Sequence, residues 1–236
     1  MQQITKRIKK RKPWISIFTI EFLFVLLLLL ALIAFIYAVR VVFILKGTEF
    51  DENIFKDVAS YATPGRTSIM NFITFLGKHT LLIPLNFLLI GFFIYKKQKW
   101  FAIRIASLAL SSVVLSFTLK AFFQRDRPLL PVIGDVSGYS FPSGHALIGI
   151  VFYGLLIYII WHEVKLKWLR IFLTAFFILL ILLISFSRIY LRVHYASDVI
   201  AGIAVGFIWL VLSLRIIHRI EKKYIAGRTL KAEGLK

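Results

Sequence analysis

Six long apolar runs constrain the fold of this 236-residue sequence more than any other feature. A helix of about 20 apolar residues spans the hydrocarbon layer of a bilayer and satisfies its own backbone hydrogen bonds there. The first run is too long for a secretory signal, and no small-residue cleavage site follows it. We therefore predict an all-α integral membrane protein, a bundle of six transmembrane helices. The predicted spans are residues 17–39, 79–95, 103–122, 145–161, 169–186 and 197–214.

The charged residues lie between these runs and predict an orientation. There are 30 Lys and Arg against 11 Asp and Glu, but the basic residues flank the spans instead of forming one soluble patch. This distribution favours contact with anionic lipid headgroups and argues against a nucleic-acid partner. With the N-terminus in the cytoplasm, 20 of the 30 basic residues are cytoplasmic, as the positive-inside rule requires. Both termini are then cytoplasmic: residues 1–16 and 215–236 form basic tails around a six-span domain of residues 17–214.

Two polar segments that this topology places on the exoplasmic side have features of an anion site. In "LKAFFQRDRPLL", Lys120 and Arg127 are two helical turns apart and share a face, and Pro128 stops the helix. The segment "FPSGHA" is typical of a helix start, with Ser143 as a capping hydroxyl and Gly144 allowing close approach to the backbone. Helix N-termini bind phosphate-like anions.

A third exoplasmic segment, "SRIYLRVHYASD", adds Arg188 and a histidine–aspartate pair, His194 and Asp198, four residues apart. The arginine alone fits an interfacial anchor, and His145 alone fits an ordinary interfacial histidine. The pair does not fit such a role, because ionisable groups that enter an apolar helix are costly and usually functional. On one helix face, the carboxylate can fix the tautomer of the imidazole and leave its other nitrogen free to act.

The three segments together predict a site for a phosphate group. They supply three cations, a helix N-terminus and two histidines, and arginine pairs well with phosphate oxygens. Phosphoryl transfer needs mainly positioning and charge stabilisation, which these groups can provide without a metal. The nearby exoplasmic carboxylates, Asp126, Asp135 and Asp198, are spread over three segments. We therefore predict no metal site and no cofactor.

These motifs resemble those of the type 2 phosphatidic acid phosphatase superfamily, specifically its small six-span bacterial lipid phosphatases. "KAFFQRDRP" matches the Lys-x6-Arg-Pro element, "PSGH" the second element, and "SRIYLRVHYASD" the Ser-Arg-x5-His-x3-Asp element. The resemblance implies that His194 is a nucleophile that forms a phosphohistidine, that Asp198 orients it, and that His145 acts as acid and then as base. It further implies a set of phosphate-binding residues: Lys120, Arg127, Ser143, Gly144 and Arg188.

The expected function is metal-independent hydrolysis of a lipid phosphomonoester or pyrophosphate at the exoplasmic face of the bacterial plasma membrane. Phosphatidylglycerophosphate, undecaprenyl pyrophosphate, phosphatidic acid and lipid A phosphates all remain open as substrates. Two alternatives remain as well: a lipid phosphotransferase using the same site, and a transporter or binder of anionic lipids. The histidine–aspartate pair favours an enzyme, since a binder needs cations but no oriented nucleophile. The expected partners are the lipid substrate and the bilayer, with no obligate protein partner.

The exoplasmic segment of residues 46–78 has a less specific pattern. Apolar residues recur in it at roughly helical spacing: Phe50, Ile54, Phe55, Val58 and Tyr61. The helix can lie along the outer membrane surface and gate lipid entry, or pack over the bundle, and the sequence does not choose between them. Of the remaining charges, Arg125 and Asp126 can pair with each other, and Arg192 is either a surface cation or a contact for a second phosphate.

Overall fold

A computed structural model describes residues 13–46, 49–129, 131–132 and 136–232, and these ranges contain eight α-helices. The helices are α1 (Pro13–Val39), α2 (Glu49–Ser60), α3 (Pro64–Leu76), α4 (His79–Tyr95), α5 (Lys99–Phe123), α6 (Gly144–Glu163), α7 (Lys167–Tyr190) and α8 (Ala196–Ala232). A π-helical turn, Arg40–Ile44, continues α1. The ends of the predicted tails (residues 1–12 and 233–236) and Asp135 lie outside the described residues.

Six segments of the described chain are long and apolar enough to cross a membrane, and they confirm the predicted all-α fold with six candidate spans. Helices α3 and α4 count together as one such segment, Pro64–Tyr95, although only 79–95 was predicted. The last helix continues to Ala232, well beyond the predicted end at residue 214.

Helix α6 lies at the centre of the bundle and contacts α5, α7 and α8. Its buried apolar residues recur along much of its length: Leu147, Val151, Phe152, Leu155 and Ile159. Large apolar side chains on the outside of the bundle are instead exposed, among them Phe87, Leu110 and Phe117. An apolar outer surface of this kind suits contact with lipid chains, which do not penalise it.

Two glycines of α8 allow this helix to approach α6 closely. A Cβ atom at Gly202 would lie 2.6 Å from the carbonyl oxygen of Ser143, and one at Gly206 would lie 2.7 Å from that of Leu147. Small residues at such crossings let helix backbones meet. The approach joins two of the predicted motifs directly, because the backbone N–H of Ser143 donates to the carbonyl oxygen of Asp198 at 2.9 Å.

The segment of residues 46–78 contains two short helices, α2 and α3, and both contact the bundle. Helix α2 contacts α7 and α8, and α3 contacts α4 and α7. The hydroxyl of Tyr190 accepts a hydrogen bond from the backbone N–H of Thr63 at 3.4 Å and lies 3.3 Å from Oγ1 of Thr67. The hydroxyl of Tyr153 donates to the carbonyl oxygen of Leu76 at 2.7 Å. Contact of this segment with the bundle is therefore observed, and a position of α2 at the outer membrane surface, where it would gate lipid entry, stays a prediction.

Candidate active site

The predicted site residues come together where four helices end or begin. These are the C-terminal ends of α5 and α7 and the N-terminal ends of α6 and α8, and we call this part of the molecule the motif end. The backbone N–H of His194 donates to the carbonyl oxygen of Arg188 at 3.3 Å. A Cβ atom at Gly144 would lie 3.7 Å from Cε of Lys120. The Arg127 side chain also donates to the carbonyl oxygen of Val193, and the Ser143 N–H donates to that of Asp198, so the three motifs are in contact although they are far apart in sequence.

His194 is buried beside the carboxylate of Asp198. Its Nδ1 lies 3.5 Å from Oδ2 of Asp198 and 3.4 Å from the hydroxyl of Ser140, which itself donates to the same carboxylate oxygen. The backbone N–H of Tyr195 also donates to that oxygen, at 2.9 Å. Burial lowers the pKa of His194 to about 4, and Asp198 partly opposes that shift. The ring is therefore neutral at pH 7, and Nε2 is the nitrogen left to react.

Arg127 and Lys120 are held by backbone carbonyl oxygens around this pair. Arg127 donates from Nε to Gly138 at 2.8 Å and from Nη1 to Val193 at 2.7 Å. The ammonium group of Lys120 donates to the carbonyl oxygen of Tyr139. Burial lowers the pKa of Arg127, but an arginine stays charged at neutral pH. Both cations are thus oriented without a carboxylate bound to either of them in the part of the chain that the structure describes.

Arg188 is buried, and part of its guanidinium group has no hydrogen-bond partner among the described residues. Its Nη1 donates to Oγ1 of Thr74 in α3 at 2.6 Å, while its Nε is buried without a partner among the described residues. The hydroxyl of Ser143 is also buried, and no described residue bonds it. The predicted capping bond of that hydroxyl is wrong: Ser143 precedes α6, but its side chain makes no cap bond. Buried polar groups normally have partners, but the Nε atoms of Arg104 and Arg170 at the other end of the bundle are buried without a described partner too. It is therefore the position of the Arg188 and Ser143 donors next to the His194 segment that suits them to an anionic ligand.

His145 occupies the first turn of α6 on another side of the site. The junction between α3 and α4 covers part of its ring, since a Cβ atom at Gly77 would lie 3.2 Å from Cδ2 of His145. Its ring interacts electrostatically with Arg188, His194 and Lys120. The two histidines and the cations therefore share one site.

Arg125 does not pair with Asp126, so that interpretation is wrong. Its guanidinium binds Asp198 at 2.5 Å and Asp51 at 2.9 Å, and it lies 4.0 Å from the centre of the Tyr195 ring. Helix α5 ends at Phe123, and the left-handed backbone that follows redirects the chain. The Arg125 side chain then reaches two buried carboxylates, whereas Asp126 remains exposed.

Four polar residues of this region were missed by the sequence analysis as members of the site: Asp51, Thr74, Ser140 and Ser197. One of them carried a usable signal. Asp51 lies three, four and seven residues before Ile54, Phe55 and Val58, so it is a lone carboxylate on the apolar face of α2. A charged residue in that position needs a buried partner.

Within the described ranges, no group of three or more His, Asp or Glu side chains is close enough to hold a metal ion. Metal independence stays a prediction, which the experiment under Proposed function tests.

These features define a helical membrane protein with a cationic, histidine-containing anion site at one end of its bundle. The sequence model of the PAP2 superfamily matches residues 100–222, which is more than half of the chain. The chain belongs to the PAP2 superfamily.

Individual relatives support the same assignment. The phosphatidylglycerophosphatase B of Bacillus subtilis is 29% identical over 160 residues, covering 67% of this chain and 78% of that protein. An undecaprenyl-diphosphatase of Sulfolobus acidocaldarius is 30% identical over 190 residues, covering 77% and 84%. The crystal structure of a transmembrane PAP2-type phosphatidylglycerolphosphate phosphatase from Bacillus subtilis matches with a TM-score of 0.73 and 25% identity, over 84% of this chain and 96% of that one. The predicted family and enzyme class, a phosphatase, are confirmed.

Proposed function

We propose that this chain hydrolyses a lipid phosphomonoester or pyrophosphate through a phosphohistidine intermediate on His194. The observation that carries the proposal is the buried imidazole of His194, whose Nδ1 lies 3.5 Å from the Asp198 carboxylate. Cations surround this pair, and Arg188 keeps a buried donor without a partner among the described residues. A fixed nucleophile next to a cationic pocket is what a covalent phosphoryl transfer requires.

In the first step, Nε2 of His194 attacks phosphorus and the bond from phosphorus to the leaving oxygen breaks. Protonated His145 gives its proton to that oxygen. The leaving group is the lipid alcohol when the substrate is a phosphomonoester, and the lipid phosphate when the substrate is a pyrophosphate. The positive charge on the ring of His194 is stabilised by Asp198. Lys120, Arg127 and Arg188 stabilise the charge on the equatorial phosphoryl oxygens.

In the second step, a water molecule replaces the histidine. Neutral His145 takes a proton from the water as its oxygen attacks phosphorus, and the phosphorus–nitrogen bond breaks. Inorganic phosphate leaves, and both histidines return to their starting protonation states. Because one histidine must be neutral and the other protonated at the start, turnover should have a bell-shaped pH profile.

The names of the relatives support the proposed class of substrate. They are called phosphatidylglycerophosphatase and undecaprenyl-diphosphatase, which supports a phosphorylated membrane lipid as the substrate class here. The distribution of basic residues supports cytoplasmic termini, with the six-span domain of residues 17–214 in the bacterial plasma membrane. The motif end then faces the exoplasmic side, where a lipid headgroup can enter from the membrane surface.

The test is phosphate release by detergent-purified protein in EDTA, with phosphatidylglycerophosphate, phosphatidic acid, undecaprenyl pyrophosphate and a lipid A phosphate. The wild type should release phosphate from at least one lipid, and His194→Ala should release none above background. Turnover that requires an added divalent ion would contradict the metal-free mechanism. Transfer of the phosphoryl group to an added alcohol instead of to water would identify a phosphotransferase.

The intermediate itself can be trapped with terminally labelled undecaprenyl pyrophosphate. When the terminal phosphorus of this substrate is attacked, the lipid phosphate leaves readily without full protonation, whereas hydrolysis of the intermediate still needs the base. His145→Ala should therefore accumulate labelled protein that is stable in base and labile in acid, and the His145→Ala/His194→Ala double variant should carry no label. Equal labelling of the double variant would overturn the assignment of His194.

A further inference from the structure

Asp51 is a fully buried carboxylate in α2, outside the region that matches the family model. Its Oδ1 accepts the backbone N–H of Ser197 at 2.9 Å, and its Oδ2 accepts the Ser197 hydroxyl at 2.6 Å. Arg125 donates to the same Oδ2 at 2.9 Å. A carboxylate that is buried this completely, in a helix whose other acidic residues are exposed, has a specific role in holding its partners.

Arg125 connects this carboxylate to the predicted nucleophile. One of its terminal nitrogens binds Asp51, while the other donates to Oδ1 of Asp198 at 2.5 Å and to the Ser197 hydroxyl at 2.8 Å. The second oxygen of Asp198 is the one that faces His194. The guanidinium fork therefore fixes one edge of the Asp198 carboxylate and leaves the other edge to the imidazole.

Aromatic contacts also hold the Arg125 guanidinium in this position. The ring of Tyr195, the residue after the histidine, lies under the Arg125 guanidinium at 4.0 Å from its centre. Phe55 of α2 packs against Tyr195 with ring centroids 5.5 Å apart. Helix α2 thus contacts the site twice, through Asp51 and through Phe55, and both contacts reach the segment that carries His194.

We propose that Asp51 and Arg125 are positioning residues for the reaction, which hold the Asp198 carboxylate ionised and oriented towards His194 and make α2 a working part of the active site. The proposal rests on the proposed function, since it assumes that His194 is the nucleophile. It assigns to the segment of residues 46–78 a role in catalysis that its sequence pattern left open.

The proposal predicts a specific effect of removing the positive charge of Arg125. If Arg125 is replaced by a neutral side chain, two buried carboxylates remain close together without the cation between them, and one of them takes up a proton. Protonated Asp198 cannot stabilise the charged ring of His194. Other charged or titratable groups interact with Asp198 or with Tyr195 beside it, and the substitution leaves them unchanged: Lys120, Arg127, His194, Tyr195 and Glu52.

The test compares Arg125→Gln, Asp51→Asn and the double variant, with kcat, KM and the pH profile measured for each. Arg125→Gln should lower kcat about 100-fold with KM within about 3-fold, the size expected when a reacting group is misplaced. The acid limb of its kcat profile should move up by about one pH unit or more, so that part of the activity returns at higher pH. Asp51→Asn should lower kcat about 10-fold by loosening the same arrangement.

The double variant provides the sharpest readout. Removing the second carboxylate relieves the repulsion, so Asp51→Asn/Arg125→Gln should be more active than the product of the two single effects, and its acid limb should return towards that of the wild type. A merely structural role would not move the acid limb. The pH profile is measured within each variant and does not depend on the amount of folded protein.

Asp57→Asn is the matched control, since Asp57 is an exposed aspartate on the same helix, and it should behave as the wild type. Wild-type kcat in both single variants, or a rise in KM with unchanged kcat, would overturn the proposal. In either case an inactive His194→Ala would leave the proposed function standing. If His194→Ala kept its turnover, the proposed function would fail and this inference with it.

Discussion

Each end of the helix bundle holds an arginine bonded to a carboxylate on another element, but the two surroundings differ. At the motif end, Arg125 binds Asp51 and Asp198. At the opposite end, which we call the far end, Arg104 of α5 pairs with Glu221 of α8 and lies over the ring of Phe101 at 5.5 Å. A buried arginine alone therefore does not identify a functional site.

The balance of charge separates the two ends. Arg104 is neutralised by Glu221 and packed between aromatic rings, so it links two helices without excess charge. At the motif end, Lys120, Arg127 and Arg188 lie close enough to interact electrostatically, and no carboxylate among the described residues forms an ion pair with any of them. Such a cluster of like charges costs stability, and a bound anion removes that cost. Excess cation charge beside an oriented histidine therefore distinguishes the candidate site from the far end.

The largest expected difference between the ends concerns their histidines. His194→Gln should lower phosphate release by at least about 10³-fold, because it removes the proposed nucleophile. His162→Gln at the far end should change it by less than about 2-fold, because that ring is exposed and bonds only the carbonyl oxygen of Tyr158 among the described residues. The two variants are measured in the same detergent and lipid. Similar losses in both would break the distinction between the ends.

The next effect concerns two arginines of α7, one near each end of that helix. Arg188→Lys should lower kcat/KM about 10- to 100-fold, because lysine lacks the planar fork and the buried Nε donor. Arg170→Lys at the far end should stay within about 2-fold, since Arg170 lies over the ring of Trp161 at 4.4 Å and faces no phosphate site. Steady-state kinetics on the same lipid checks both. An unchanged Arg188→Lys would remove this residue from the phosphate-binding set.

These two comparisons concern residues whose roles follow from local sequence motifs. The six apolar runs predict the spans, and the three motifs predict which residues meet, because motif spacing and helix ends are local properties. The position of Asp51 does not follow in this way, since its contact with Ser197 joins residues 146 positions apart. Thr74 had no signal at all: only the packing of α3 against α7 brings it to Arg188.

The error over Arg125 has the same origin. Opposite charges on adjacent residues suggest an ion pair when only the sequence is read, but exposed ion pairs contribute little to stability. Buried carboxylates from α2 and α8 offer Arg125 a much better environment, and they reach it only after the chain has folded. Long-range partners of this kind depend on tertiary packing, which a single sequence does not display.

At the far end, the expected effect is on stability alone. Arg104→Gln leaves Glu221 without its cation and should lower the unfolding temperature by about 6–12 °C, as loss of one partner of a largely buried pair costs about 3 kcal/mol. Its kcat should match that of the wild type. Arg219→Gln on the exposed face of α8 is the control and should change neither property. A large loss of kcat at unchanged unfolding temperature would show that the far end also contributes to turnover.

The smallest expected effect concerns the protonation of His194, which we expect to stay unchanged near neutral pH. Burial holds the pKa of His194 at about 4, so falling pH should protonate the ring only as it passes through about 4. An ordinary histidine, with a pKa near 6.5, would already be almost fully protonated at pH 5. Nitrogen NMR of histidine-labelled protein, with the His194 signals assigned by their loss in His194→Gln, should therefore show a neutral ring from pH 7 down to pH 5. A midpoint near 6.5 would mean that the ring is hydrated, and that the motif end is as open to water as an exposed surface.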